Sequence, residues 1–226
     1  MVIKGLTLLA KFKSKKNSVF LASTGAEKVV LKIFAPEYRW RARNEFYWLR
    51  SAYERGIPVP EIIDMRDYII IQRYIPGENL IDLFNSQPHE RFALALADWY
   101  AGLHRAFRDG AQTLLKGDGI LKNFIWHDAL WGVDFEEAQP GDPAKDIGAI
   151  CNSILNTEPM FTRDKFELCQ ILIDRYENKG PFKIKSRIDE SIAGALAATA
   201  RWRPAQREIL LHMAAQIRRN GLKNLL

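Results

Sequence analysis

Residues 113–146 read TLLKGDGILKNFIWHDALWGVDFEEAQPGDPAKD. The apolar runs in this stretch are short, and three of its polar residues stand at their ends. Leu114-Leu115 leads into a glycine-flanked turn carrying Asp118, Asn123 opens Phe124-Ile125-Trp126, and Leu130-Trp131-Gly132-Val133 delivers Asp134. His127-Asp128 supplies a turn between the second and third runs. An antiparallel hairpin is therefore expected, with Asn123 and Asp134 at the same end of it. An amide oxygen and a carboxylate are hard ligands suited to Mg²⁺. Asp118, five residues before Asn123, would sit beside them and face an incoming hydroxyl. A single Asx residue in a glycine-containing turn usually caps its own backbone, so the reading rests on the three taken together.

Working outward, residues 28–34 (KVVLKIF) form a buried strand with one cation, Lys32, inside its apolar run. Such a lysine costs desolvation unless an anion meets it. After Pro36, residues 37–55 have helical spacing with Trp40, Phe46, Leu49 and Tyr53 as apolar contacts, and Gly56 with Pro58 ends the helix. Glu45 is the only acid in the middle of it. Upstream, strands over 3–12 and 19–23 flank a basic turn, residues 13–18, that contains no G-x-G-x-x-G. Downstream, DYIIIQ at 67–72 reads as a strand, and at RYIPGENL (73–80) the pattern changes from strands to helices. A helix over 90–107 presents Leu96, Trp99, Leu103 and Phe107 as a core stripe and carries His104. Further helices are expected over 147–155, 163–178, 186–201 and 204–219, the last opening on a proline and closing at Asn220-Gly221.

With 226 residues, 47% hydrophobic and 27% charged, the chain can bury the core of one large domain or two lobes. A net charge of +6 favours polyanionic partners. Aromatic and basic residues do not interleave as in a single-strand nucleic-acid platform, so nucleic acid is not expected as a partner. No apolar run is long enough for a transmembrane segment, and the first residues, MVIKGLTLLAKFKSKK, lack a leader pattern, so a cytoplasmic location is expected. Cys151 and Cys169 have no C-x-x-C partner or neighbouring His and read as buried free thiols. His89, His127 and His212 lack metal-ligand spacing.

The group Asp118, Asn123 and Asp134 resembles the protein-kinase catalytic loop and its metal-binding Asp. The G-D…N wording, with Val133-Asp134-Phe135-Glu136-Glu137-Ala138, Gly141-Asp142-Pro143 and Asp146 after it, is closest to the aminoglycoside phosphotransferase and choline kinase branch. Lys116 stands where members of that branch typically carry His. The resemblance spans about residues 11–155 and implies an α+β, bilobal protein-kinase-like fold. Residues 1–72 would be a nucleotide-binding lobe, an antiparallel sheet plus one helix; residues 73–226 would be a mainly helical catalytic and acceptor lobe.

It also implies ATP- and Mg-dependent transfer of the γ-phosphoryl group to a hydroxyl of a small molecule or glycan. Asp118 would be catalytic, orienting or deprotonating the acceptor, and Asn123 and Asp134 would hold Mg²⁺. Lys32, paired with Glu45, would position the α and β phosphates. Ser18 would meet phosphate, and the Gln72 carbonyl and Tyr74 amide would read adenine. Asp146 would brace the catalytic loop through backbone hydrogen bonds, with His104 packing nearby.

Three other readings share these features. Lipopolysaccharide core heptose and Kdo kinases contain similar V-V-L-K-I-F and G-D…N-F-I strings, and the basic charge is compatible with peripheral membrane contact. Compact atypical protein serine kinases of the Bud32 or RIO kind are similarly short. A non-catalytic pseudokinase scaffold would account for Lys116 and the missing glycine-rich loop. No A-P-E segment follows Asp134, and Asp146 comes only twelve residues later, which favours a small acceptor over a peptide.

Overall fold

A computed structural model describes residues 5–14 and 16–225. Strands β1 (Thr7–Phe12), β2 (Ser18–Ser23), β3 (Lys28–Ile33), β4 (Ile62–Arg66) and β5 (Ile69–Arg73) form an antiparallel sheet in the order β1-β2-β3-β5-β4. Alternation along β3 and β5 divides their side chains between two faces. Val29, Leu31, Ile69 and Ile71 cluster with Ala22 on one, while Ile70 packs with Phe34 and Ala42 on the other. Lys32 pairs in register with Ile70 and so lies on the face that receives helix α1 (Arg39–Glu54).

Two features of this half differ from expectation. The first strand begins at Thr7; residues 3 and 4 of the expected run, and Lys15 of the basic turn, lie outside the described residues. In α1 the buried stripe is Ala42, Glu45, Leu49 and Ala52, while Trp40 and Tyr53, expected in the core, are 57% and 44% exposed. The small Ala42 and Ala52 let the helix lie close to the sheet, and the two large rings fall off that stripe. Pro36–Tyr38 form a 3-10 turn that leads into the helix.

The second half contains β6 (Glu78–Asn79), α2 (Leu80–Ser86), α3 (Glu90–Ala106), β7 (Thr113–Leu115), β8 (Phe124–Trp126), β9 (Leu130–Gly132), β10 (Gln139–Gly141), α4 (Ala144–Leu155), α5 (Arg163–Lys179), α6 (Lys185–Trp202) and α7 (Arg207–Asn220). The expected hairpin is β8-β9, with Ile125 opposite Trp131; β6 adds to its edge, and β7 pairs with β10. Helix α2 was not anticipated. Asn79 caps it by accepting from Ile81 N at 3.1 Å, so a residue read as hinge text is a helix start.

Leu96, Trp99 and Leu103 are buried in α3, with Phe107 partly buried against the same core. Residues 204–206 are a 3-10 turn rather than the first turn of α7, whose C-terminus is closed by Gly221 at φ +78°. Cys151 and Cys169 are buried and free. Among the described residues no helix is long and apolar enough to cross a membrane. The architecture is α+β and bilobal, with the antiparallel sheet and one packed helix preceding a mainly helical part.

Candidate active site

Lys32 is the cation that the two halves share. Its Nζ donates to Glu45 Oε2 of α1 at 2.6 Å and to Asp134 Oδ1 at 2.9 Å, and Glu136 Oε2 stands at 3.6 Å. Burial pushes the ammonium down, but Glu45, Asp134 and Glu136 outweigh that and hold it above the usual lysine range. Glu45 also moves up, to about 7: burial is the larger influence, Lys32 opposes it, and the nearby Asp134 and Glu136 reinforce it. The Lys32 shift thus follows from three carboxylates facing one ammonium, and the Glu45 shift first from burial. Glu45 Oε1 is buried with no hydrogen-bond partner among the described residues, so half of this carboxylate has nothing to offset its desolvation.

The loop after β7 places Asp118. Gly117 is in the left-handed region at φ +85°, and a Cβ there would fall 2.2 Å from the Glu137 carbonyl oxygen, so the turn requires glycine. Asp146, at the start of α4, accepts from Lys116 N at 2.7 Å and Gly117 N at 3.1 Å. Its Oδ2 also lies 3.2 Å from His104 Nε2, whose Nδ1 meets the Tyr176 hydroxyl at 2.7 Å. A buried chain of polar groups from α5 through α3 to α4 thus fixes the base of the loop.

Asn123 turns its amide nitrogen toward Asp118, donating to Oδ2 at 3.0 Å and to the carbonyl at 3.2 Å. Among the described residues its Oδ1 takes no hydrogen bond. Burial pushes the Asp118 carboxyl up, opposed by Lys116 and assisted by Asp134. Asp134 is held below the usual range: burial would raise it, but Lys32 and Lys116 prevail. Its backbone is left-handed, φ +67°, uncommon for a residue with a side chain.

Three residues were missed by the sequence reading: Glu136, Lys16 and Arg41. Glu136 is buried and accepts from Asn17 Nδ2 at 2.7 Å and Arg41 Nη1 at 3.0 Å; Lys16 Nζ stands 3.6 Å from it and 3.0 Å from Glu137. The tip of the β1-β2 hairpin is thereby tied to the segment after Asp134, around a cavity of about 350 Å³ lined by Lys16, Asn17, Tyr38, Arg41 and Glu136. A signal for Glu136 was present in its position two residues after Asp134. Arg41 looked like one of several surface arginines, because nothing in helical periodicity marks which arginine faces a distant glutamate.

Oxygens of Glu45, Asp134 and Glu136 all lie within 4.8 Å of one another. Besides Glu45, the hard oxygen donors here are Asn123 Oδ1, Asp134, which shares Lys32, and Glu136, which is bonded to Asn17 and Arg41. This all-oxygen set fits Mg²⁺. Ser18 opens β2 opposite Ile33.

The hinge departs from expectation at Tyr74. Its amide donates to the Lys28 carbonyl at 3.3 Å, extending the β3-β5 ladder, and is not free for a ligand. Gln72 beside it keeps a buried side-chain Oε1 with no partner among the described residues.

The phosphotransferase enzyme family (APH) matches residues 12–116, ending two residues before Asp118. The chain is similar in structure to a choline/ethanolamine kinase family protein from Mesorhizobium loti, at TM-score 0.73 and 16% identity over 99% of this chain and 94% of that one. It is also similar to choline kinase from Cryptosporidium parvum, at TM-score 0.72 and 12% identity over 100% and 93%. The APH(2″)-IIa ternary complex with streptomycin and ATP superposes at TM-score 0.66 and 15% identity over 92% and 91%.

In sequence the chain is 26% identical over 137 residues to a probable bifunctional tRNA threonylcarbamoyladenosine biosynthesis protein from Methanocorpusculum labreanum. That match takes in 60% of this chain and 24% of the relative's length. The chain has the protein-kinase-like fold that these choline/ethanolamine kinases and aminoglycoside phosphotransferases share. The family match over residues 12–116 supports phosphotransferase chemistry.

Proposed function

We propose that the chain transfers the γ-phosphoryl group of ATP to a hydroxyl of a small molecule or glycan, with residues 1–72 as the nucleotide lobe and 73–226 as the catalytic and acceptor lobe. The observation that carries this reading is Lys32, whose ammonium meets Glu45 of the first half and Asp134 of the second at 2.6 and 2.9 Å. A buried lysine so placed can swap a carboxylate for phosphate oxygens when a nucleotide enters.

Adenine is read by the hinge backbone, with the Gln72 carbonyl accepting. Lys32 orients the α and β phosphates, with Ser18 and the Lys16-Asn17 tip over them. Asp134, with Asn123 Oδ1 and Glu136, holds Mg²⁺, which when bound neutralises phosphate charge. Asp118 accepts the acceptor's hydroxyl proton as the new O–P bond forms and the bond from the γ phosphorus to the β–γ bridging oxygen breaks. Asn123 Nδ2 fixes the carboxylate that does so. These contributions are mostly positioning and electrostatics.

The small-acceptor reading draws on the connection after Asp134. Only nine residues separate it from α4, three of them in β10, which leaves little chain for a peptide platform. Radiolabelled ATP should be offered in parallel to sugars, amino-alcohols, aminoglycosides, core oligosaccharide and protein acceptors. Labelling of at least one small or glycan acceptor is expected. Labelling confined to proteins would refute the acceptor class.

A further inference from the structure

We infer that Lys116 is a positioning residue that locks the acceptor-side Asp118 and the metal-side Asp134 into one geometry; this rests on the phosphotransfer reading above. The side chain is fully buried. Its Nζ donates to two main-chain carbonyls, that of Asp118 at 3.1 Å and that of Asp134 at 3.0 Å. The rings of Phe124 and Phe135 flank the ammonium at 5.5 and 5.6 Å, and Asp146 holds the backbone N of the same residue.

Two things make this more than core packing. Both acceptors belong to the residues assigned to chemistry and not to neighbouring helices. One of them, Asp134, has a left-handed backbone at φ +67°, a conformation that persists only when its surroundings impose it. A buried hydrogen bond from Lys116 Nζ to its carbonyl is such an imposition. An ammonium on a four-carbon stem presents three donors and can serve both carbonyls at once; a neutral imidazole carries a single N–H. Lysine at this position is therefore a working brace between the two aspartates and not a mark of a degenerate site.

The test uses the full chain with K116M, which keeps the stem and removes the donors, and K116H, which restores one. Folding is followed by thermal melting, nucleotide binding by calorimetry with and without Mg²⁺, and turnover by release of labelled phosphate from ATP to acceptor or water. K116M should keep magnesium-free ATP affinity within about twofold, raise the half-saturating Mg²⁺ about tenfold or more, and lower turnover about a hundredfold, as expected when two carbonyls lose their buried donor. K116H should recover about tenfold of that turnover.

K116M with wild-type magnesium response and turnover would overturn the inference while leaving the phosphotransfer reading intact. If K116M does not fold, K116H decides: an intermediate magnesium response supports the brace, and a wild-type response or failure to fold counts against it. A wild-type protein that neither binds nucleotide nor releases phosphate removes the underlying reading and this inference with it.

Discussion

Replacing Glu45 with Gln should change how stability depends on pH, and the direction follows from the site. The Glu45 carboxyl has a pKa of about 7 in the folded chain, against an ordinary value of 4.5. Below 4.5 both folded and unfolded chains hold the proton. Between 4.5 and 7 the unfolded chain releases it and the folded chain keeps it, so stability falls as pH rises through that window and levels off above it. At about 1.4 kcal/mol per pH unit the full span is worth about 3 kcal/mol.

For a chain of this size, a loss of about 3 kcal/mol lowers the melting midpoint by about 6–12 °C. E45Q cannot ionise. It carries a pH-independent cost of about 1–3 kcal/mol, because one end of the new amide stays unpartnered as Glu45 Oε1 is now. Comparing slopes removes that cost. Urea unfolding of both proteins at pH 5, 6, 7 and 8, without metal or nucleotide, should give a wild-type stability that falls with pH and an E45Q stability that falls much less. Parallel profiles would refute the reasoning that burial, reinforced by Asp134 and Glu136, holds the Glu45 carboxyl up.

Two further outcomes are expected. Asp118→Asn should keep Mg-ATP affinity within about threefold and lose transfer by about a hundredfold or more, whereas Asp134→Asn should also lose the magnesium dependence of binding; calorimetry and turnover on both variants separate the two roles. Gly117→Ala, which sets a Cβ against the Glu137 carbonyl in a left-handed turn, should cost about 1–3 kcal/mol by urea unfolding and abolish turnover.

Much of this architecture was legible before any coordinates. The β8-β9 hairpin follows from two apolar runs about a His-Asp turn, and α3 follows from its Leu96, Trp99 and Leu103 stripe. Lys32 stood out because a cation in a buried strand needs an anion, and Glu45 was the one acid within reach in the following helix. Local patterns could not reveal partners brought together only by the tertiary fold. Glu136 gathers Asn17, Arg41, Lys16 and Lys32 from three separate elements, none nearer than 95 residues in sequence.

The Tyr74 amide was misread for a related reason: position along the chain suggested a free hinge donor, but the ladder with β3 runs one residue further. Lys116 read as a departure in sequence. Its meaning appears only when its ammonium is seen between the Asp118 and Asp134 carbonyls. Trp40 and Tyr53 were counted as core by hydrophobicity, but the helix packs on its small residues.

The central claim is that Lys32, Asn123 and Asp134 form a magnesium-nucleotide site between the two lobes. Titration calorimetry of the wild-type chain with ATP, in Mg²⁺ and again in excess chelator, tests it most directly. The account predicts saturable ATP binding that weakens by about tenfold or more when magnesium is withdrawn, the loss expected when phosphate charge goes uncompensated. Absence of purine-nucleotide binding under both conditions would contradict it.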